Sequence, residues 1–331
     1  MHINCDDLNE AIEHYTNALG YRLDMIFPAD SPREAVLSNG GESLRLVASP
    51  KSEVQSPKSQ SIADLGLGTS DLGPTSDSEW IVGRAGMEYR DLIPGRLGGR
   101  MIASHIRIPT GGEVEDYVHY HKVEFQMIYC VAGRIKVVYE DQGGPFWLNP
   151  GDCVLQPPEI RHRVLECTAN SEVVEIGVPA VHETWVEHDI TLPTATVNTA
   201  RDFNGQRFVR HIAERNADTL VRNGGFHVRD TGISAATGGL ADVVVLRAAS
   251  DASIECGSPR VSKGVMHKPA SSAEPQEFVF YFVLKGSVKL TSDGGHTAEF
   301  TAGDAFVMEP DARASATLHA ASGTELLRVA M

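Results

Sequence analysis

Three histidines and a glutamine carry the strongest chemical signal in this chain. His119 and His121 flank a single residue, four residues separate His121 from Gln126, and His162 comes after a Gly151-Asp152 turn and the Pro157-Pro158 step. Side chains alternate along a strand, so His119 and His121 point to the same side. With His162 and the amide oxygen of Gln126 they make a set of four donors for one divalent metal. All four donors are neutral, so such an ion keeps its full charge: it binds more weakly and acts as a stronger Lewis acid toward an anionic substrate. Imidazole suits Fe, Zn, Ni and Mn alike, so ligand type alone does not choose the metal. Glu124, two residues before Gln126, is an alternative fourth ligand if a bulge turns it inward. Tyr117, Glu124, Tyr129, Cys130, Gln156 and Arg107 are candidates to line or support the site.

The elements that must position these residues are short strands. EFQMIYCVAGRIKV (124–137) reappears in register as EFVFYFVLKGSVKL (277–290), GDCVLQPP (151–158) as GDAFVMEP (303–310), and GGRMIASHIR (98–107) as GGLADVVVLR (238–247). Short strands, frequent Gly and Pro and no long helical periodicity predict a mainly β chain with two tandem barrels. The duplication is also an internal control. What both copies share is scaffold, and what one copy alone holds is site. The second copy has Val279 at the Gln126 position and Ala314 at the His162 position, with only His267 near the place of the His pair. Its barrel is expected to be metal-free.

Taken with their spacing, His119, His121, Gln126 and Gly133, followed by Gly151, Pro157 and His162, resemble the two motifs of the cupin superfamily. That resemblance implies two jelly-roll β-barrels. It also implies a metal site in the first, with Gln126 standing where the family usually has Glu. The layout is similar to that of gentisate ring-cleaving dioxygenases, which use three histidines. It implies a non-haem Fe(II) dioxygenase acting on a small aromatic or enolisable acid. A Zn-, Ni- or Mn-dependent isomerase, lyase or hydrolase is the second reading, and a non-enzymatic ligand-binding bicupin the third.

Residues 1–49 read as a separate βαβββ unit. DDLNEAIEHYTNALG has helical spacing, with Leu8, Ile12, Tyr15 and Leu19 on one face, Asp6 or Asp7 as N-cap and Gly20 as stop. Asp7, Leu8, Ala11, Tyr15, Leu19, Gly20, Tyr21 and Arg22 resemble half of a glyoxalase-like (vicinal oxygen chelate) domain. The family's Glu ligand falls at Arg45, so this half module is expected to hold no metal and to serve structure or dimerisation. Residues 50–79, rich in Ser, Pro and Gly, read as a linker. The expected boundaries are 1–49, 50–79, 80–197 for the metal-binding barrel and 198–331 for the degenerate one.

The 331-residue chain has a net charge of −15, which argues against a nucleic-acid or anionic-membrane partner. Five cysteines without a CxxC pair fit a reducing compartment rather than a disulfide framework. With no signal peptide and no spanning apolar run, the expectation is a cytoplasmic homodimer that acts on a small molecule.

Overall fold

The computed structural model describes residues 1–49, 80–82, 86–216, 219–220, 225–256, 278–309 and 316–331. The linker at 50–79 and the positions of His267, Glu277 and Ala314 lie outside them. The described residues are mainly β and form two tandem two-sheet barrels behind a small N-terminal module.

The strand Phe125–Ala132 shows how the barrels are put together. Its odd residues Phe125, Met127 and Tyr129 join Phe278, Phe280 and Phe282 of the second barrel in one apolar core. Its even residues Ile128 and Cys130 face the other way, into the lumen of the first barrel, with Ile135, Val137, Tyr139 and Val154. A strand covered on both faces has little room for polar side chains, which explains the near-continuous apolar run. In the second barrel the lumen is filled. Val279, Tyr281, Phe300, Phe306 and Met308 pack there, with Phe306 stacked between Tyr281 and Phe300 at centroid distances of 4.9 and 4.5 Å.

Matching turns support the duplication. Gly151 and Gly303 both adopt φ near +90°, and the next residue closes each turn. Asp152 accepts from the Asn149 N–H at 2.9 Å, and Asp304 from the Thr301 N–H at 2.7 Å. The expected boundary after residue 197 does not separate the sheets. Val209–His211 pairs with Cys153–Leu155 and completes the first barrel's sheet.

In the N-terminal module His2–Cys5, Leu8–Glu13, Arg22–Phe27, Glu34–Asn39 and Glu42–Ala48 follow the expected βαβββ order. The Asp7 carboxylate caps the helix, accepting from the N–H groups of Asn9 and Glu10. Leu19 departs from expectation and is exposed. The helix widens into a π turn over His14–Ala18, and the extra residue rotates Leu19 off the apolar face. Arg45 forms an ion pair with Glu34. The module is not detached: Met25 and Ile26 pair with Trp185 and Thr184, so its sheet runs on into one sheet of the first barrel. No helix among the described residues is long and apolar enough to cross a membrane.

A polar clasp also links the barrels. Arg90 Nη2 donates to Gly303 O at 2.7 Å and contacts His105 Nδ1 at 3.0 Å, while His105 Nε2 lies 2.8 Å from Glu172. Neutral His105 satisfies both neighbours, accepting from Arg90 and donating to Glu172. A second proton would break the Arg90 bond. Burial, then the Arg90 charge, hold the His105 pKa down at about 4. Between that value and the ordinary one near 6.5, the unfolded chain binds a proton that the folded chain refuses. Stability contributed by this site is therefore present above about 6.5 and lost as the pH falls toward 4. Denaturant titrations at pH 7 and 4.5 should show this loss, and the loss should be smaller in His105→Gln.

Candidate metal centre

His119 and His121 occupy the strand His119–His121, and His162 opens the strand His162–Cys167. The two strands are antiparallel with His162 directly opposite His119, which brings the third imidazole across from the first. Between the pair, Tyr120 turns outward beneath the Arg161 guanidinium, 4.2 Å from its ring centre. The three rings lie 4.3 to 5.3 Å apart centre to centre, and one nitrogen from each falls within 4.8 Å of the others. Among the described residues this is the one His/Cys/Asp/Glu group with such geometry.

Each ring is oriented by what its Nδ1 meets. His119 Nδ1 lies 2.8 Å from Tyr117 O, and His162 Nδ1 lies 2.9 Å from Ile160 O. A carbonyl only accepts, so both Nδ1 atoms carry the proton and Nε2 keeps its lone pair. His121 Nδ1 meets the Thr184 hydroxyl at 2.9 Å, which permits the same tautomer. Buried Asp116 stands 3.6 Å from His119 Nδ1 and accepts from the N–H groups of Tyr117 and Val164, pinning the loop before the strand. Such outer partners are what a metal-binding histidine requires, and the donor set fits a divalent ion.

Gln126 is 1% exposed and shares the lumen face with Ile128 and Cys130. Its Nε2 lies 2.8 Å from Glu175 Oε1. A carboxylate can only accept, so the amide N–H points at Glu175 and the carbonyl oxygen is the atom Gln126 could offer a metal. This accounts for the departure from Glu. A carboxylate at 126 could not donate to Glu175 and would be repelled by it.

Glu175 was not among the sequence candidates. It lies opposite Ile128 on the strand Ser171–Val178, on the lumen face with Val173. The signal was present in the duplication: SEVVEIGV aligns with TELLRVAM, which puts Arg328 where the first copy has Glu175. His182 was also missed. Its ring lies 5.5 Å from that of His121 at 87°, and its Nδ1 lies 3.0 Å from Pro179 O. No ligand spacing flagged it, because a turn after the strand brings it there.

Gln156 reaches the lumen, 1% exposed, next to Gln126, whose backbone carbonyl accepts from the Gln156 N–H at 2.8 Å. Tyr139 stacks on His162 at 5.6 Å. Burial, and then the Glu175 charge, push its phenol well above the usual range, so it keeps its proton. Tyr117 packs its ring edge-on against His119 at 5.7 Å.

The other candidates are corrected by strand alternation. Tyr129 is on the inter-barrel face, where its hydroxyl neighbours Arg229 of the second barrel. Arg107 lies on the face opposite the lumen residue Ile106, over the Trp80 ring at 4.1 Å and 3.4 Å from Glu172. Glu124 is exposed and precedes the strand, so it does not turn inward. Cys130 does face the lumen, but its thiol is turned to the carbonyls of Ala132, Gly133 and Leu148, and burial pushes it up to about 12. It is a packing residue.

Comparison with known proteins follows this geometry. Residues 104–177 match the family profile described as a cupin domain, and residues 255–322 match that of an EutQ-like cupin domain. The search for curated relatives found no match. Among solved structures, the Lactobacillus farciminis oxalate decarboxylase formate complex is 11% identical, with a TM-score of 0.55 over 79% of this chain and 86% of that one. A variant of Bacillus subtilis oxalate decarboxylase is 12% identical, with a TM-score of 0.51 over 80% and 77%. Another structure of the Bacillus enzyme, which concerns its Mn(II) centres, gives the same values. At such identities the likeness is one of fold.

Replacing the Thr184 hydroxyl should loosen His121. Thr184→Val is expected to lower Mn(II) or Zn(II) affinity about 10- to 100-fold with the fold intact, measured by competition against a chromogenic chelator.

Proposed function

We propose that this protein, a chain of two tandem cupin domains, is a metal-dependent lyase acting on a small enolisable oxygenated compound in the lumen of its first barrel. His119, His121 and His162 would hold a divalent ion, with the Gln126 carbonyl as fourth donor, and that ion supplies Lewis-acid polarisation of a substrate oxygen. Mn(II) is favoured by the Mn(II) centres of the Bacillus decarboxylase, and Fe(II), Zn or Ni suits the same imidazoles.

The observation that carries the reading is Glu175, a carboxylate held in the lumen by the Gln126 amide. A lyase needs a group that takes a proton from the substrate and returns it to carbon after the bond is broken. Glu175 fills that role, and the Gln126 N–H orients it and stabilises its charged form. Tyr139 and Gln156 close the wall beside His162 and keep bulk water from the reacting atoms. The dioxygenase reading rests on the neutral donor set and on the two-barrel layout with the metal in the first barrel. It gives Glu175 no role, because activating oxygen beside a chelated substrate needs no carboxylate base at this position. The N-terminal module is assigned support of the His121 strand through Thr184, whatever its relation to glyoxalase-like domains.

Protein loaded with Mn(II) or Zn(II) should turn over substrate under strict anaerobiosis. Turnover that needs Fe(II) and consumes oxygen stoichiometrically would favour the dioxygenase instead. Glu175→Gln should lower kcat about 100-fold or more while metal content, read by elemental analysis, stays the same. His162→Ala should lose the metal.

A further inference from the structure

His182 brings a fourth imidazole to the metal centre and has no part in the donor set. It lies in the turn between the strands Ser171–Val178 and Thr184–Val186. Both ends of that turn are fixed, because Val178 pairs with Phe125 and Thr184 pairs with His121. The Ala29 N–H of the N-terminal module donates to His182 O at 3.1 Å and ties down the turn between them. The side chain is 6% exposed, and its ring stands at 87° to that of His121, 5.5 Å away.

The turn uses only one of the two ring nitrogens. Nδ1 meets Pro179 O at 3.0 Å, and a carbonyl only accepts, so Nδ1 carries the proton and Nε2 the lone pair. Among the described residues nothing pairs with Nε2.

Gly177 shows which way that edge of the ring is turned. It is the ladder partner of Gln126 and of Ile102, and alternation puts it on the lumen face with Glu175. A Cβ at 177 would stand 3.3 Å from His182 Cε1 and 3.3 Å from Ile102 Cγ2. The φ of Gly177 is not in the left-handed region, so glycine serves space here rather than backbone conformation. Cε1 joins the two ring nitrogens, so the edge that carries Nε2 is turned to the lumen, at the level of Gln126 and beside His121. In the second barrel the same ladder position holds Ala330, paired with Val279 and packed into the filled lumen. The first barrel gives up that methyl and admits an imidazole.

We infer that His182 is a substrate-binding residue of the first lumen, its Nε2 accepting a hydrogen bond from the hydroxyl of an α-hydroxy acid held at the histidine triad. The inference rests on the metal-centre reading above and adds the substrate class to it. Close to a divalent charge a hydroxyl becomes a stronger donor, and a neutral imidazole nitrogen is an acceptor suited to it.

The test compares two ligands of equal charge, so that the ion and Glu175 act on both alike: glycolate, and methoxyacetate, in which a methyl replaces the hydroxyl proton. Full-length protein is loaded with Mn(II) and its metal content measured first. Failure to hold metal would overturn the metal-centre reading and this inference with it. With metal bound, titration calorimetry should show glycolate binding. His182→Phe, which keeps a ring against His121, should weaken glycolate about tenfold and leave methoxyacetate within about twofold, at unchanged Mn(II) stoichiometry. His182→Gln, whose amide oxygen can still accept, should recover part of the glycolate affinity. Gly177→Ala should press the ring aside and weaken glycolate a few-fold. No glycolate binding by the metal-loaded protein, glycolate binding unchanged in His182→Phe, or equal weakening of both ligands would overturn the inference while leaving the metal centre standing.

Discussion

The strand Phe125–Ala132 is covered on both faces, and the rest of the architecture follows from that. One face joins the phenylalanines of the second barrel and the other closes the lumen of the first. Neither face can shift without opening a core, since one lost large side chain at such a position costs several kcal/mol. Register is therefore fixed throughout the sheet: a slip by one residue would put Phe125 in the lumen and Gln126 in the inter-barrel core. The polar residues inside the first barrel are held in place by apolar packing outside it.

Within that frame the site depends on short local tethers. Two imidazoles are turned by backbone carbonyls two residues before them in the chain, and the third by a hydroxyl on a neighbouring strand. Thr184 lies on the strand Thr184–Val186, which the N-terminal module pairs with on its other side. The module's edge strand thus stabilises the strand that holds His121. The two barrels use the same turns and ladders for opposite ends. One lumen is sealed with stacked aromatics, and the other keeps amides, a carboxylate and imidazoles.

Much of this was legible in the residues. The duplication, the mainly β class, the histidine triad and the apolar second copy all follow from spacing and from comparing one half of the chain with the other. Gln126 stood out as a departure from the family pattern, but the reason for it did not. That reason is Glu175, about fifty residues away in sequence and 2.8 Å away across the sheet. Tyr129 and Arg107 show the opposite error. Both sit near the motifs in sequence, yet alternation turns them away from the lumen, and sequence proximity says nothing about which face of a strand is which.

The sequence by itself determined that two barrels form and that one of them can bring three imidazoles together, because period-two alternation and turn chemistry are local properties. Only the tertiary structure decided which side of each strand became the lumen, because that depends on which face the second barrel covers. It was also tertiary structure that set Glu175 against Gln126, joined the N-terminal sheet to the His121 strand, and left the Gln156 amide buried beside the histidines. Those relations are set by packing between segments far apart in the chain, and no local pattern encodes them.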